Sequence, residues 1–507
     1  MINAVGREVP HHPFAGVGAK LVSGRQASPP IRSCEDYPGD GNKRVPDLMT
    51  ALKNAGLRDG MVISTHHHLR NGDYLAAKLF AAADALGVRD LVWFPSAVFP
   101  CHAELIPYLE RGVIHHIEGS LNGPVGDFAS EGGMKGIAVL RSHGGRYRAM
   151  QDGDVRVDIA VIAAPTADPF GNMRGTTGPS ACGGLGFAVA DAQYADHVIA
   201  VTDNLVRFPC APWQIQGNYI DQVVVVDRIG DPSKILSGTT ELTRSPERLL
   251  VAEHAARFVA ASGVLREGWS FQAGAGGISL AFTLFVRDLM RERGVRARFV
   301  RGGSTRYLVE MLETGLTDFI LDGQTFDLDG IRSMRENANH IMTSPFNSYN
   351  YHGKGNLASL LDCAVLGATE VDLEFNANVV THSDGRMLHG IGGWQDALFS
   401  RCTILAVPTF RNRVPIVRER LTTFCGPGTL VDVIATERGI AINPRRTDLL
   451  AAVAGSDLPL KSLEELKAEA EALCGGPPES LELSGPVIGH VTWVDGTLLD
   501  VVRQVTA

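Results

Sequence analysis

From Val45 onward, short β-branched runs alternate with longer amphipathic stretches. Met61-Val62-Ile63-Ser64 predicts a strand, Asp73 to Leu86 a helix, and Leu91-Val92-Trp93-Phe94 another strand. Asp158 to Ala163, His197 to Val201 and Gln222 to Val226 are further runs of the strand kind. Continuous apolar strands between helices imply sheets covered on both faces, hence a mainly parallel α/β protein. Near the C-terminus, Ser462-Leu463-Glu464-Glu465 is a capping box. Leu463, Leu466, Ala470 and Leu473 mark one helical face, and Gly475 stops the helix.

The second half repeats the plan of the first. Gly87-Val88-Arg89 before a strand is echoed by Gly294-Val295-Arg296, and the helix ending at Gly112 by the one ending at Gly315. Ile159 to Pro165 is echoed by Thr403 to Pro408, and Ile199 to Thr202 by Val433 to Thr436. Four echoes in one order predict two related α/β domains, and a period this long excludes a solenoid. The expected division is an irregular arm over 1–45, rich in Pro and Gly, a first domain over 46–240 and a second over 241–507. A site in the cleft between the domains follows.

Composition narrows the class. Of 507 residues, 45 % are hydrophobic and 20 % charged, with 47 Lys plus Arg against 56 Asp plus Glu. The resulting net charge of −9 argues against a nucleic-acid binder. The eight cysteines include no C-x-x-C pair and read as reduced, which together with the absence of a signal-like or membrane-spanning run suggests a cytoplasmic protein.

Four segments could carry chemistry. His66-His67-His68 could offer two rings to one face of a strand, but no metal-ligand spacing accompanies them. They read as a strand-end loop at a ligand cleft, beside Arg70, and no metal is expected. Ser120, Asn122 and Gly123 lie in a glycine-rich loop that could hold anions or be a tight turn. Gln272 to Ser279 is strand, Gly-rich turn, then helix, and the amides around Gly274, Gly276 and Gly277 suit a phosphate. Glu370 to Asp396 is dense in polar groups and ends in Gly390-Ile391-Gly392-Gly393. Glycine amides there could hold an oxyanion, worth ~3 kcal/mol per donor when preorganised.

The fourth segment resembles the reactive region of the acetyl-CoA hydrolase and acetate or 4-hydroxybutyrate CoA-transferase group. Val371-Asp372-Leu373, Gly385-Arg386 and Gly390 to Asp396 carry the likeness, with Gln272 to Ile278 as a second match. The resemblance implies two NagB/RpiA-like α/β domains with the active site between them. The whole chain is more similar to the citrate lyase alpha subunit family. His116 to Gly126, Ala167-Asp168-Pro169-Phe170-Gly171-Asn172 and Phe346 to Asn356 carry that likeness. It implies exchange of acetyl for citryl on a thioester, giving a citryl thioester and acetate. It also implies that the CoA- or dephospho-CoA-type group is carried by a partner acyl carrier (gamma) subunit, with none bound covalently to this chain. A beta (citryl lyase) subunit would then cleave the product.

The departure is at the nucleophile. Counting back from Gly390, the glutamate of the CoA-transferase group falls on Thr381. A threonine without a base is no acyl acceptor. Direct attack by a citrate carboxylate is therefore expected, with Gly392 and Gly393 holding the oxyanion. Arg70 and Arg386 are the expected citrate cations, and Asn347, Ser348, His389 and Gly390 the neutral contacts. The alternatives are a general CoA-transferase or acyl-CoA hydrolase, and a non-catalytic binding module on the same fold.

Overall fold

A computed structural model describes residues 34–235, 241–274, 276–352, 354–479, 481 and 483–505. Most of the expected arm, residues 1–33, lies outside the described residues. Its end is not irregular. Arg44–Val45 pairs in parallel with Gln222–Val225, and Lys43 Nζ donates to the carbonyls of Gly217 and Ile220 at 2.6 and 2.7 Å.

Two sheets organise the chain. The first is 10-stranded, in the order Arg44–Val45, Gln222–Val225, His197–Thr202, Ile159–Ala164, Val62–Thr65, Leu91–Pro95, Ile114–Gly119, Ala138–Leu140, Val487–Thr492, Leu498–Arg503. All its pairings are parallel except the last. The second is 8-stranded, in the order His340–Met342, Ile320–Thr325, Ala297–Ser304, Trp269–Ala273, Cys363–Leu366, Thr403–Ala406, Val433–Thr436, Gly439–Ile442, and again only the last pair is antiparallel. Ile159–Ala164 shows why the apolar runs became central strands: all six residues are buried, with a parallel neighbour on each side.

Both sheets reverse their strand order once. Chain order runs outward one way from Val62–Thr65 and the other way from Ile159–Ala164; the equivalent pair in the second sheet is Trp269–Ala273 and Cys363–Leu366. The repeat seen in the sequence is displaced here. Ile159–Ala164 is adjacent to Val62–Thr65, whereas Cys363–Leu366 separates its echo, Thr403–Ala406, from Trp269–Ala273. The terminal hairpin, placed by the chain order in the second domain, extends the first sheet. The core of the first sheet also takes in Val371, Phe375, Met387, Ile391 and Trp394 from the second half. The glycine-rich segment Glu370 to Asp396 is therefore packed against the first sheet. The C-terminal capping box forms as expected, with Ser462 accepting from the Glu465 amide at 3.2 Å and Gly475 closing the helix at φ 93°.

Candidate active site

Ligands of open α/β sheets gather where strand order reverses, at the carboxyl ends of the strands. Here two such ends face one another. Val62–Thr65 delivers His67, whose Nε2 donates to Gln324 Oε1 at 2.9 Å, while Gln324 Nε2 donates back to the His67 carbonyl at 2.9 Å. Gln324 belongs to the second sheet, so this pair ties the two units together.

The segment 379–396 then folds into the same region. Thr381 and Met387 bridge, Leu388 N–H donates to the Val380 carbonyl at 2.9 Å, and Met387 N–H donates to Ser130 Oγ at 2.8 Å. From there the chain runs back along the helix Gly123–Ser130 to Ser120. A Cβ on Gly390 would stand 1.5 Å from Ser120 Oγ, so only glycine fits. Gly392 takes φ 59°, and its carbonyl accepts from the His143 amide at 2.8 Å. Gly393 then caps the short helix Trp394–Ala397, which carries Asp396.

Asp396 is the centre of the constellation. It is fully buried and accepts from Tyr351 Oη at 2.6 Å, the Gly144 amide at 3.1 Å and Ser142 Oγ at 3.3 Å. A Cβ on Gly144 would lie 2.1 Å from the carboxylate, so the Gly-Gly after His143 lets it approach the helix His143–Gln151. Burial raises the carboxyl to about 6, against the pull of these donors and of Arg301. His143 is stacked 5.1 Å from His67, and its ring centroid is 4.4 Å from that of Phe187 and 6.3 Å from that of Tyr349. Burial, then the charge of Arg146, holds the His143 imidazole down to about 3. Burial likewise keeps His67 well below its ordinary value, so both rings are neutral hydrogen-bonding groups near pH 7.

The residues singled out in the sequence separate into groups. Gly390, followed by Gly392 and Gly393, lies against Ser120. Asn122 caps the helix beginning at Gly123, which takes φ 57° against Pro100. His389 is exposed, with Nδ1 against the Gly390 carbonyl. Arg70 is buried at φ 51°, its Nε donating to the Ile235 carbonyl at 2.8 Å and its guanidinium 4.3 Å from the Phe326 ring centroid. Gln272 ends a strand of the second sheet, and the Gly274, Gly276 and Gly277 turn opens the helix Gly277–Arg293 as read. The histidine triplet divides its work: His66 lies 3.2 Å from Asp191, and His68 bonds the Ala163 carbonyl at 2.8 Å.

Four of the residues singled out in the sequence have their side chains engaged elsewhere. Thr381 is fully buried and faces away, its hydroxyl 2.8 Å from that of Thr423 and 3.0 Å from Asn378 Nδ2. Arg386 pairs with Glu131 at 2.9 Å beyond the far end of the helix Gly123–Ser130. Eight helical residues span about 12 Å, so Arg386 is a helix length from Ser120. Asn347 spends its side chain on Ser344 N in a capping box, and Ser348 bonds Thr343 Oγ1 at 3.1 Å. Their segment matters because it presents Tyr349 and Tyr351. The sequence reading assigned no role to His143, Arg301, Tyr349, Tyr351 or Asp396. The signals were present: Asp396 closes the Gly-x-Gly-Gly segment, both tyrosines lie within Phe346 to Asn356, and Arg301 interrupts an apolar strand.

Two apposed α/β units with a glycine-closed loop between them have the fold found in a CoA-transferase. The fold is similar to that of a 4-hydroxybutyrate CoA-transferase from Porphyromonas gingivalis, with a TM-score of 0.54 and 16 % identity over 84 % of this chain and 97 % of that one. A family model for citrate lyase, alpha subunit (CitF), matches residues 41–505. The citrate lyase alpha chain of Klebsiella pneumoniae is 40 % identical over 97 % of this chain and 96 % of its own length. A crystal structure described as the alpha subunit of citrate lyase from Streptococcus mutans in complex with citrate superposes with a TM-score of 0.91. It has 38 % identity, covering 99 % of this chain and all (100 %) of that one. The chain belongs to the citrate lyase alpha subunit family, and so to the transferases of the CoA-transferase class.

Proposed function

We propose that the cleft exchanges acetyl for citryl on a thioester presented by an acyl carrier subunit, without a covalent enzyme intermediate. The carrying observation is the placement of Thr381. The position that holds the glutamate in the resembling CoA-transferases is fully buried and tied into a closed network with Asn378 and Thr423. The one carboxylate in the constellation, Asp396, has both oxygens engaged by three donors.

The residues beside the Gly-rich turn suit a phosphate-bearing arm. A cleft of about 860 Å³ borders the start of the helix Gly277–Arg293, and its lining sets Arg244, Arg248 and Arg306 against Glu241, Asp327 and Asp329. When bound, the carrier's CoA-like group supplies the sulfur that leaves one acyl carbon and joins the other. A citrate carboxylate oxygen bonds the acetyl carbon as its carbon–sulfur bond breaks. The citryl carbon of the resulting mixed anhydride then takes the sulfur, and its bond to the bridging oxygen breaks as acetate leaves. Gly393, whose open side faces Tyr349 and His143, is the glycine best placed to steady the oxyanions. Gly392 has a second part besides its amide, since its carbonyl docks the loop on His143. Neutral His143 and the two tyrosines orient the reactants, and positioning supplies much of the acceleration. The citryl product would pass to a beta lyase subunit in the same complex.

The test is exchange of labelled acetate into an acetyl thioester with citrate omitted. No exchange is expected, and transfer should appear only when citrate is added. Exchange without citrate would require an acyl–enzyme and overturn the reading, with Asp396 then the residue to examine.

A further inference from the structure

Five arginines are buried in the described residues: Arg70, Arg146, Arg148, Arg301 and Arg418. Arg146 makes a two-pronged pair with Asp191 at 2.9 and 2.7 Å, Arg148 pairs with Asp152 at 2.9 Å, and Arg418 pairs with Glu370. Arg70 donates to the Ile235 carbonyl at 2.8 Å. Arg301 differs. It is 2 % exposed, and its Nε and Nη1 have no hydrogen-bond partner among the described residues. A buried guanidinium without a counter-charge in contact is strongly disfavoured. Arg301 therefore marks a place where an anion is missing from the chain itself.

Its surroundings fix what that anion is. Arg301 and Gln272 are register partners on adjacent parallel strands, so their side chains share one face. Phe271 and Val300, one residue earlier on each strand, enter the helix-side core, which turns Gln272 and Arg301 the other way. On that side the Arg301 guanidinium lies 5.2 Å from the Tyr349 ring centroid, and Gln272 Oε1 is buried without a partner. The Arg301 charge is felt by Tyr349, Tyr351 and Asp396, which therefore lie in its neighbourhood. His67 and His143 bring no charge there. Asp396 already offsets part of the Arg301 field, which leaves room for one carboxylate and disfavours a phosphate dianion.

We infer that Arg301 is the specificity residue that receives a carboxylate of the acceptor acid, beside Gln272 and under Tyr349. The inference rests on the proposed transfer to citrate. The planar guanidinium carries charged N–H donors along its edges, and donors of this kind suit the oxygens of a carboxylate. This replaces Arg386 as the carboxylate-binding arginine.

Citrate binding by calorimetry on the full chain tests it, with Arg301→Met and Arg301→Lys compared with wild type and the acetyl-thioester KM measured alongside. Citrate Kd should rise about a hundredfold in the Met variant and at least tenfold in the Lys variant, while the thioester KM changes less than threefold. Without citrate, Arg301→Met should melt no lower than wild type, because it removes a buried charge that no carboxylate contacts directly. A merely structural arginine would give the opposite shift. Folded variants that keep the wild-type citrate Kd within threefold would overturn the inference and leave the function standing. If the Met variant does not fold, the Lys variant decides by the same criterion. A wild-type chain that binds no citrate would overturn both.

Discussion

Asp396 shows how one residue's environment sets its chemistry. Its carboxyl is raised to about 6 because burial outweighs three donors and a nearby guanidinium. The unfolded chain holds the same carboxyl near 3.8. A folded value above the unfolded one means that Asp396 favours the native state fully below pH 3.8 and loses that contribution as pH rises through about 6. Asp396→Asn abolishes the titration. Wild type should therefore lose about 1 kcal/mol relative to the Asn variant between pH 5 and pH 7.5. Thermal midpoints of the two proteins across that range measure it, and parallel curves would contradict the assignment. Transfer activity should fall at least tenfold in the variant, since its amide presents a donor to the Gly144 amide. Little of this was legible beforehand. The carboxylate could be read as the last member of the glycine segment, but Ser142 and Gly144 lie some 250 residues earlier in the chain, at separations of 254 and 252.

Elements were far more legible than contacts. The strands that were named, such as Ile159–Ala164 and His197–Thr202, were read to within a residue or two because a strand buried on both faces writes itself as an unbroken apolar run. Cys363–Leu366 escaped because the short run Cys-Ala-Val-Leu, flanked by Asp362 and Gly367, gives no periodicity to read. The single turns that hold the site are set by pairs the sequence does not advertise. His102, at the start of the turn before Ile106–Glu110, meets Asp73 at 3.0 Å, and both are buried. Burial alone would lower the imidazole, but the Asp73 carboxylate raises it to about 9. This pair contributes stability that is whole below pH 6.5 and lost as pH rises through about 9. Asp73→Asn keeps an oxygen to cap Leu75 N–H and removes only the charge. It should cost about 3 kcal/mol at pH 6 and much less at pH 10. Denaturation midpoints at the two pH values test this, and a deficit of equal size at both would show that the pair is not what the substitution broke.

At the scale of the whole molecule, the echoes in the sequence predicted two sheets but not how the chain ends. Val487–Thr492 pairs in parallel with Ala138–Leu140, a connection across some 350 residues that no local pattern encodes. The hairpin has two consequences. It covers the edge that Ala138–Leu140 would otherwise expose, and an exposed strand edge invites pairing between chains. It also reaches the reactive loop, because Gln395 Nε2 donates to the Thr492 carbonyl at 3.0 Å and to the Cys425 carbonyl at 2.9 Å, one residue before Asp396. The first sheet, the terminal hairpin and the loop of the second half thus brace one short helix. Ending the chain at Ser484 should remove both functions at once, giving aggregation on a sizing column and no transfer. Gln395→Ala separates them. It leaves the sheet edge covered and should keep the protein monodisperse, while transfer falls about tenfold because Asp396 is no longer held in register. A shortened chain that remained monodisperse and fully active would show that neither the edge nor the loop depends on the hairpin.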